Sequence, residues 1–583
     1  MQTPRILSAL LAVAFTTLPG RAEVILQYFE ADWDEINLRT PEIGEIGYDG
    51  IWIPSPCKSP VAGSIKWANV GYSLYDRFDL GDIPQRGTVA TRYGTRGDLR
   101  HMVDHLHYSD VKVYPDIVFN HNGNGPNMLG YPGMRINDFH AWADTSQPGG
   151  WRRAPRMSAY DDIRDGQGGT FQQELVSLID IVTEPDGRFG VQEPAPFIRH
   201  PGQYDKYPYN SPGDTLPAEN VRQMLSRWAV WLGNAMDYDG FRLDAGKHVV
   251  REFYGAGGET GKFLHEAQWN FDQRRGNTYD GQVPDLYRNE VRRKDMLMFN
   301  EIFTGSSATL DYWRGGQNKM RYLDFPSKSQ LIGQAFDNGN LGILASLGVG
   351  LDPTEGVLFV QSHDQPAPAK LELAYAWSLT KNALPIVYFS GNNISWGDKN
   401  AGRTWVLPGT GNALGDYNNI VPNLVYINNQ FARGREWNRW ADNDFYAHER
   451  YADGYGPTAN TPDPGEGVLL VALNDGGYDQ TKTLQTSFPS GTVLKDYTGN
   501  QPAQVTVNGS GQVTITVPAR GGQGFVCYAP WWRRPVARRC AFRSEAPRWE
   551  RSTGSCPAAG TPRRNRAPCP PDRRQRGHRD ALC

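Results

Sequence analysis

Residues 240–248 read Gly240-Phe241-Arg242-Leu243-Asp244-Ala245-Gly246-Lys247-His248. A short apolar run, interrupted by one cation, ends in an acid and a basic pair. Strands buried on both faces of a parallel sheet read as near-continuous apolar runs. A charge inside such a run, with an acid at its end, marks a strand whose C-terminal tip carries chemistry. Three other stretches end in the same way: Asp116-Ile-Val-Phe-Asn120-His121, Phe299-Asn-Glu301 and Phe359-Val-Gln-Ser-His363-Asp364.

Working outward, apolar runs recur at 24–29, 50–53, 111–119, 240–243, 296–299, 322–325, 357–360 and 386–389. Helical patterns separate them. Arg96–His107 is one. Ala218–Met236 is another, with Val221, Leu225, Trp228, Trp231 and Leu232 on one face. Eight buried strands alternating with helices imply an α/β fold, a (β/α)₈ TIM barrel. The rhythm fails between about Gly123 and Pro217, which is rich in Gly, Pro and Asp. Barrel connections are normally a few residues long, so an inserted domain is expected after the third strand. From about Asp463 the pattern changes to short alternating strands separated by turn residues, which reads as a C-terminal antiparallel β-sandwich domain.

The expected organisation is a signal peptide over 1–22, a barrel over 23–125 and 218–455, an inserted domain over 126–217 and a β domain over 456–531. An Arg/Pro-rich tail over 532–583 follows. The signal reading rests on a cationic start, an apolar Ile6–Leu18 and the small residues Gly20 and Ala22, with cleavage after Ala22. The protein is therefore expected outside the cytosol, extracellular or periplasmic. Two readings of the tail stay open. It is a disordered segment, or a stretch not shaped by selection, since its composition resembles a shifted reading frame of GC-rich DNA. It holds Cys540, Cys556, Cys569 and Cys583; Cys57 and Cys527 in the body are expected to be free or buried, not a disulfide framework. A net charge of −3 points to no nucleic-acid partner, and no apolar run is long enough to span a membrane. A monomer is expected.

Three carboxylates, Asp244, Glu301 and Asp364, leave three different strands at the barrel mouth. Glycoside hydrolysis needs one ionised carboxylate to attack the anomeric carbon and one protonated carboxyl to release the leaving oxygen. Arg242, two residues before Asp244 on one side of the strand, is expected to keep Asp244 ionised. Glu301, after Met298 and Phe299, is expected in an apolar setting that keeps it protonated. Asp364 is expected to hold sugar hydroxyls and to favour a cationic transition state.

Together the four stretches resemble the four conserved regions of the α-amylase family, glycoside hydrolase family 13. Gly71-Tyr72-Ser-Leu-Tyr75-Asp76 resembles the family's early Gly-Tyr segment. The likeness covers roughly Glu23 to Trp531. It implies a secreted, endo-acting, retaining hydrolase of α-1,4-glucosidic bonds in starch, with a glucanotransferase or oligosaccharide-forming amylase as the alternative. By position, Asp244 resembles the nucleophile, Glu301 the acid/base and Asp364 the third carboxylate. Arg242 matches the arginine that orients the nucleophile. His121 and His363 match histidines that bond the sugar, and Tyr72 the tyrosine that stacks on it. Lys247 and His248 match the leaving-group side. The resemblance also implies Ca²⁺ held by Asn120 and the His248 backbone carbonyl. Carboxylates from the insertion would complete the set, Asp161 and Asp162 among the candidates. Two departures stand out. Ser362 precedes His363 where the family usually has Asn. No Arg follows Asp364 closely, so chloride activation is not expected.

Overall fold

A computed structural model describes residues 23–59, 70–121, 181, 221–249, 251–254, 263–275, 296–307, 309–310, 320–346, 348–390, 420–451 and 466–531. The expected signal peptide, most of the expected insertion with Asp161 and Asp162, and the tail lie outside them.

Eight parallel strands close into a barrel in the order β1 to β8. They are Ile25–Phe29, Gly50–Ile53, Lys112–Ile117, Gly240–Leu243, Leu297–Asn300, Arg321–Leu323, Gly356–Phe359 and Leu384–Ser390. Strand β1 pairs with both β2 and β8, which seals the ring. The α/β barrel expected from the apolar runs is the observed fold. Alternation along the strands divides two cores. Ile25, Phe29, Trp52, Tyr114, Leu297, Phe299, Val357 and Phe359 fill the interior. Leu26, Tyr28, Phe241, Leu243 and Met298 face outward and pack with the helix residues Leu99, Met102, Trp228 and Leu232. This is the period-2 rule of a strand applied to a closed sheet.

The helix Arg96–Tyr108 starts on a reciprocal cap: Asp98 N–H donates to the Thr95 hydroxyl, and Thr95 N–H donates to the Asp98 carboxylate. Satisfying two of the orphan donors of a first turn fixes where the helix begins. No helix among the described residues is long and apolar enough to cross a membrane.

Beyond the barrel, eight further strands form an antiparallel domain. They are β9 (Arg435–Ala441), β10 (Phe445–Tyr451), β11 (Gly467–Asn474), β12 (Gln480–Gln485), β13 (Val493–Asp496), β14 (Val505–Thr506), β15 (Gln512–Val517) and β16 (Phe525–Pro530). Six make one sheet, in the order β14-β13-β16-β11-β10-β9; β12 and β15 make a second. Phe445, Leu470, Val513, Ile515 and Val526 form the core between the two sheets. The other face of the large sheet, with Tyr446, Leu469, Val471 and Cys527, joins the barrel's outer core.

Here the structure moves a boundary. The expected β domain begins at 456, yet β9 and β10 lie before it and belong to its sheet. Strand β10 carries His448, Glu449 and Arg450, all buried. Arg450 donates to the carbonyls of Thr380 at 3.1 Å and Lys381 at 2.7 Å, and Lys381 pairs with Glu436. A strand buried against a polar seam needs charges that an apolar pattern does not contain. As expected, Cys57 and Cys527 are free and buried.

Candidate active site

The barrel's inner side chains climb towards the C-terminal ends of the strands. On β4, Gly240, Arg242 and Asp244 alternate with the outward Phe241 and Leu243. The glycine is required, because a Cβ there would lie 1.7 Å from the Leu297 carbonyl oxygen. On β5 the interior residues Leu297 and Phe299 lead to Glu301. On β3 Tyr114 leads to Asp116, which is in register with Arg242. Inward parity delivers the acids to one spot.

Arg242 is the hub and has no exposed side-chain surface. Its Nη1 lies 2.7 Å from Asp116 Oδ1 and 2.8 Å from Asp244 Oδ1, and its Nη2 lies 2.9 Å from Glu301 Oε2. The two terminal nitrogens of one planar guanidinium are about 2.3 Å apart, so the Asp244 and Glu301 oxygens lie within about 8 Å of each other. Ala245 N–H also donates to Glu301 Oε2 at 3.0 Å. Ala245 sits in the left-handed region, with φ 48°, in the turn that brings its amide there. The guanidinium faces the Trp52 ring at 5.1 Å.

A second chain of contacts runs from Asp116 to Asp364. The Tyr72 hydroxyl donates to Asp116 Oδ2 at 2.7 Å and lies 2.6 Å from His363 Nε2. The Tyr72 and His363 rings are stacked at 5.3 Å. His363 Nε2 is 2.9 Å from Asp364 Oδ2, and its Nδ1 accepts from the Gln27 amide at 2.8 Å. Ser362, the departure from the family pattern, supports Asp364 locally: its hydroxyl accepts from the N–H groups of Asp364 and Gln365.

The electrostatics differ from expectation. Burial pushes the Asp244 carboxyl well above the usual range. Arg242 opposes this, and the charges of Glu301, Asp116 and Asp364 add to it. Burial likewise raises Asp116, against Arg242. Arg242 therefore does not hold Asp244 at an ordinary carboxylate value, because it touches three acids. Glu301 is not in an apolar setting either; its carboxylate faces the same guanidinium and a backbone N–H. One guanidinium cannot offset the burial of both, so Asp116 and Asp244, which share it, retain protons more readily than isolated acids.

Of the other expected residues, His121 is buried and donates through Nε2 to the Tyr72 carbonyl at 3.0 Å. Burial lowers its pKa to about 4, which leaves it neutral at ordinary pH. Lys247 reaches the Phe303 carbonyl at 2.9 Å, beside the exposed Phe303 ring. His248 ends a short 3₁₀ turn after β4, and Asn120 follows β3; both are buried. Among the described residues, no group of three or more His, Cys, Asp and Glu is arranged to hold a metal.

Three residues of the cluster were not singled out from the sequence. Asp116 stands inside an apolar strand, a signal passed over in favour of Asn120 and His121. Trp52, which donates to Asp116 at 3.3 Å, and Gln27 share the parity of interior residues. Only the closed barrel reveals which of them reach the mouth.

A closed (β/α)₈ barrel whose mouth gathers paired carboxylates within reach of one another has the arrangement that glycoside hydrolysis uses. Residues 27–164 match the model of the alpha amylase catalytic domain, and residues 469–528 that of the alpha-amylase C-terminal domain. The chain is 24% identical to an alpha-amylase of Bacillus licheniformis over 87% of this chain and 95% of that one. It is 30% identical to a cytoplasmic alpha-amylase of Escherichia coli over 38% of this chain and 46% of that one. The crystal structure of a Geobacillus thermoleovorans alpha-amylase shares the fold, with a TM-score of 0.54, 17% identity and coverage of 87% and 97%. The chain thus matches the α-amylase catalytic and C-terminal domains and is an α-amylase-type glycoside hydrolase.

Proposed function

We propose that this enzyme is a secreted, endo-acting hydrolase of α-1,4-glucosidic bonds in starch that works by double displacement with retention. The observation that carries the reading is the contact of one arginine with both Asp244 and Glu301. Retaining enzymes place their two carboxyl groups about 5–5.5 Å apart and inverting ones about 6.5–9.5 Å. The bound of about 8 Å set by guanidinium geometry admits a retaining pair and excludes only the widest inverting ones, so the family likeness supplies the choice of retention.

In this reading Asp244 attacks the anomeric carbon while Glu301 protonates the leaving glycosidic oxygen. Glu301 then takes a proton from the water that releases the sugar. Arg242 holds both carboxyls in line. Asp364, coupled through His363 and Tyr72 to Asp116, binds sugar hydroxyls and stabilises the cationic transition state. Tyr72 stacks on the sugar at the cleaved bond, and His121 bonds it. Lys247 and His248 lie on the leaving-group side, where the Phe303 ring adds an exposed wall.

Incubation with soluble starch tests this. Iodine colour should fall well before reducing ends accumulate, and the new ends should be α-anomers by NMR. β-Anomers would refute double displacement. Products longer than an oligosaccharide substrate would instead indicate a transferase.

The family implies Ca²⁺. Asn120 and the His248 carbonyl offer neutral oxygens from adjacent strand ends, chemistry that suits a hard cation. Carboxylates of 126–217, such as Asp161 and Asp162, would complete the set, and the ion would pin that segment to the barrel. EDTA should therefore lower the melting temperature; an unchanged melting curve counts against the ion. Export is proposed from the leader, with a mature chain starting at Glu23, which intact-mass measurement of protein from the medium or periplasm checks.

A further inference from the structure

Lys58 lies beyond β2, 1% exposed, beneath a surface loop. Its Nζ lies within hydrogen-bond range of four oxygens: the carbonyls of Thr88, Val89 and Ala90 at 2.9, 2.9 and 2.8 Å, and the Thr88 hydroxyl at 2.9 Å. Asp79 Oδ2 stands 4.0 Å away. An ammonium has only three N–H groups, so four oxygens at this range is the surrounding of a bound cation. Three consecutive carbonyls turned inward on one point would repel each other without a positive charge between them.

The same residue holds the other side of the loop through its backbone. Lys58 N–H donates to the Asp79 carbonyl at 2.9 Å, and its carbonyl accepts from Tyr75 N–H at 2.8 Å. The segment 88–90 leads to Tyr93, whose hydroxyl donates to the Val70 carbonyl at 2.9 Å. Tyr72 therefore sits between two anchors, Val70 and Tyr75, both of which trace back to Lys58. The Tyr72 hydroxyl must meet Asp116 and His363 at once, at 2.7 and 2.6 Å.

We infer that Lys58 is a positioning residue. It is a tethered cation that closes the 70–93 loop and so fixes Tyr72 in the sugar site. The inference rests on the proposed role of Tyr72 and predicts a cavity with the preferences of an ammonium site once the side chain is removed.

The test uses Lys58→Met, Lys58→Ala and, as a control, Tyr72→Ala. Each is assayed on a soluble linear α-glucan well below its own melting midpoint. Lys58→Met should lower kcat/KM by about tenfold or more, since sub-ångström misplacement of a positioning group has effects of that size. Ammonium chloride should restore part of the loss in Lys58→Ala, whereas sodium chloride at equal ionic strength should not. A purely structural role would show no such ion selectivity. If Lys58→Ala does not fold, Lys58→Gln and Thr88→Val carry the test, with losses in kcat/KM of about tenfold and about threefold. Lys58 variants with kcat/KM within twofold of the parent, beside an impaired Tyr72→Ala, overturn the inference alone. So does a loss in Lys58→Ala that ammonium cannot relieve. An unimpaired Tyr72→Ala refutes the reading of the sugar site, and this inference falls with it.

Discussion

Two clusters of buried charge lie at opposite ends of the barrel strands, and their composition differs. At the mouth, Asp116, Asp244 and Glu301 gather around one arginine, and Asp364 joins them through His363 and Tyr72. At the seam with the β domain, just before β8 begins, Glu436 meets Lys381, Arg450 and His448. Burial pushes both kinds of carboxyl up. At the mouth it prevails, and Asp244 is raised. At the seam, burial is outweighed by Lys381, His448 and Arg450, and Glu436 is pulled down to about 2. Balanced charge is what stability requires of a buried pair. An excess of acid is what proton transfer requires. The same residue types thus build a joint at one end of the molecule and a reactive centre at the other.

The comparison breaks most visibly through the carboxylates themselves. Glu301→Gln or Asp244→Asn should lower kcat on the order of 10³-fold. The melting temperature should hold or rise, because each change relieves repulsion in an acid-rich cluster. A variant with near-normal turnover, or a large drop in melting temperature, would contradict this. Glu436→Gln should do the reverse. It leaves the buried Arg450 and the half-buried Lys381 without their acid, at a cost on the order of 2–3 kcal/mol, below the roughly 3–5 kcal/mol of a fully buried pair because Lys381 and Glu436 keep 22% and 13% exposure. A lowered urea midpoint with unchanged kcat is the expected result.

The sequence reached the mouth more fully than the seam, for a physical reason. Strands buried on both sides are apolar throughout, and each of the eight barrel runs overlaps an observed strand. Acids at the ends of such runs stand out. Strand β10 carries His448, Glu449 and Arg450 into buried positions and β9 lays Arg439 against Glu449, and nothing in the pattern distinguishes these strands from a polar helix. Asp116 and Lys58 were missed for a related reason. A charge inside a buried segment is explained only by partners distant in the chain, here Arg242 and the carbonyls of 88–90.

Asp116→Asn sharpens the account of the mouth. Asp116 is one of the charges that raise Asp244, so removing it should move the acid limb of the kcat/KM profile to lower pH. It should also lower kcat/KM by about tenfold, through the loosened Tyr72 hydroxyl. An acid limb that stays in place, or moves up, would mean that the charge of Asp116 does not raise Asp244.

The smallest effect lies at the seam. Burial holds His448 at a pKa of about 4, against about 6.5 for a free imidazole. Between those values the unfolded chain binds the proton and the folded one does not, so stability falls as pH drops from about 6.5 to about 4. Glu436 acts lower down. Its folded value of about 2 lies below that of a free glutamate, about 4.3, so its contribution is lost as pH falls from about 4.3 to about 2. His448→Gln cannot take up a proton and should lose part of the first decline while keeping the second. The difference from the parent should be on the order of 1–2 kcal/mol when pH 4.5 is compared with pH 7.5. His121, also lowered to about 4, continues to titrate, so the first decline should be reduced rather than abolished. Parallel stability curves for parent and variant across that window would show that the seam does not bury His448 as a neutral ring.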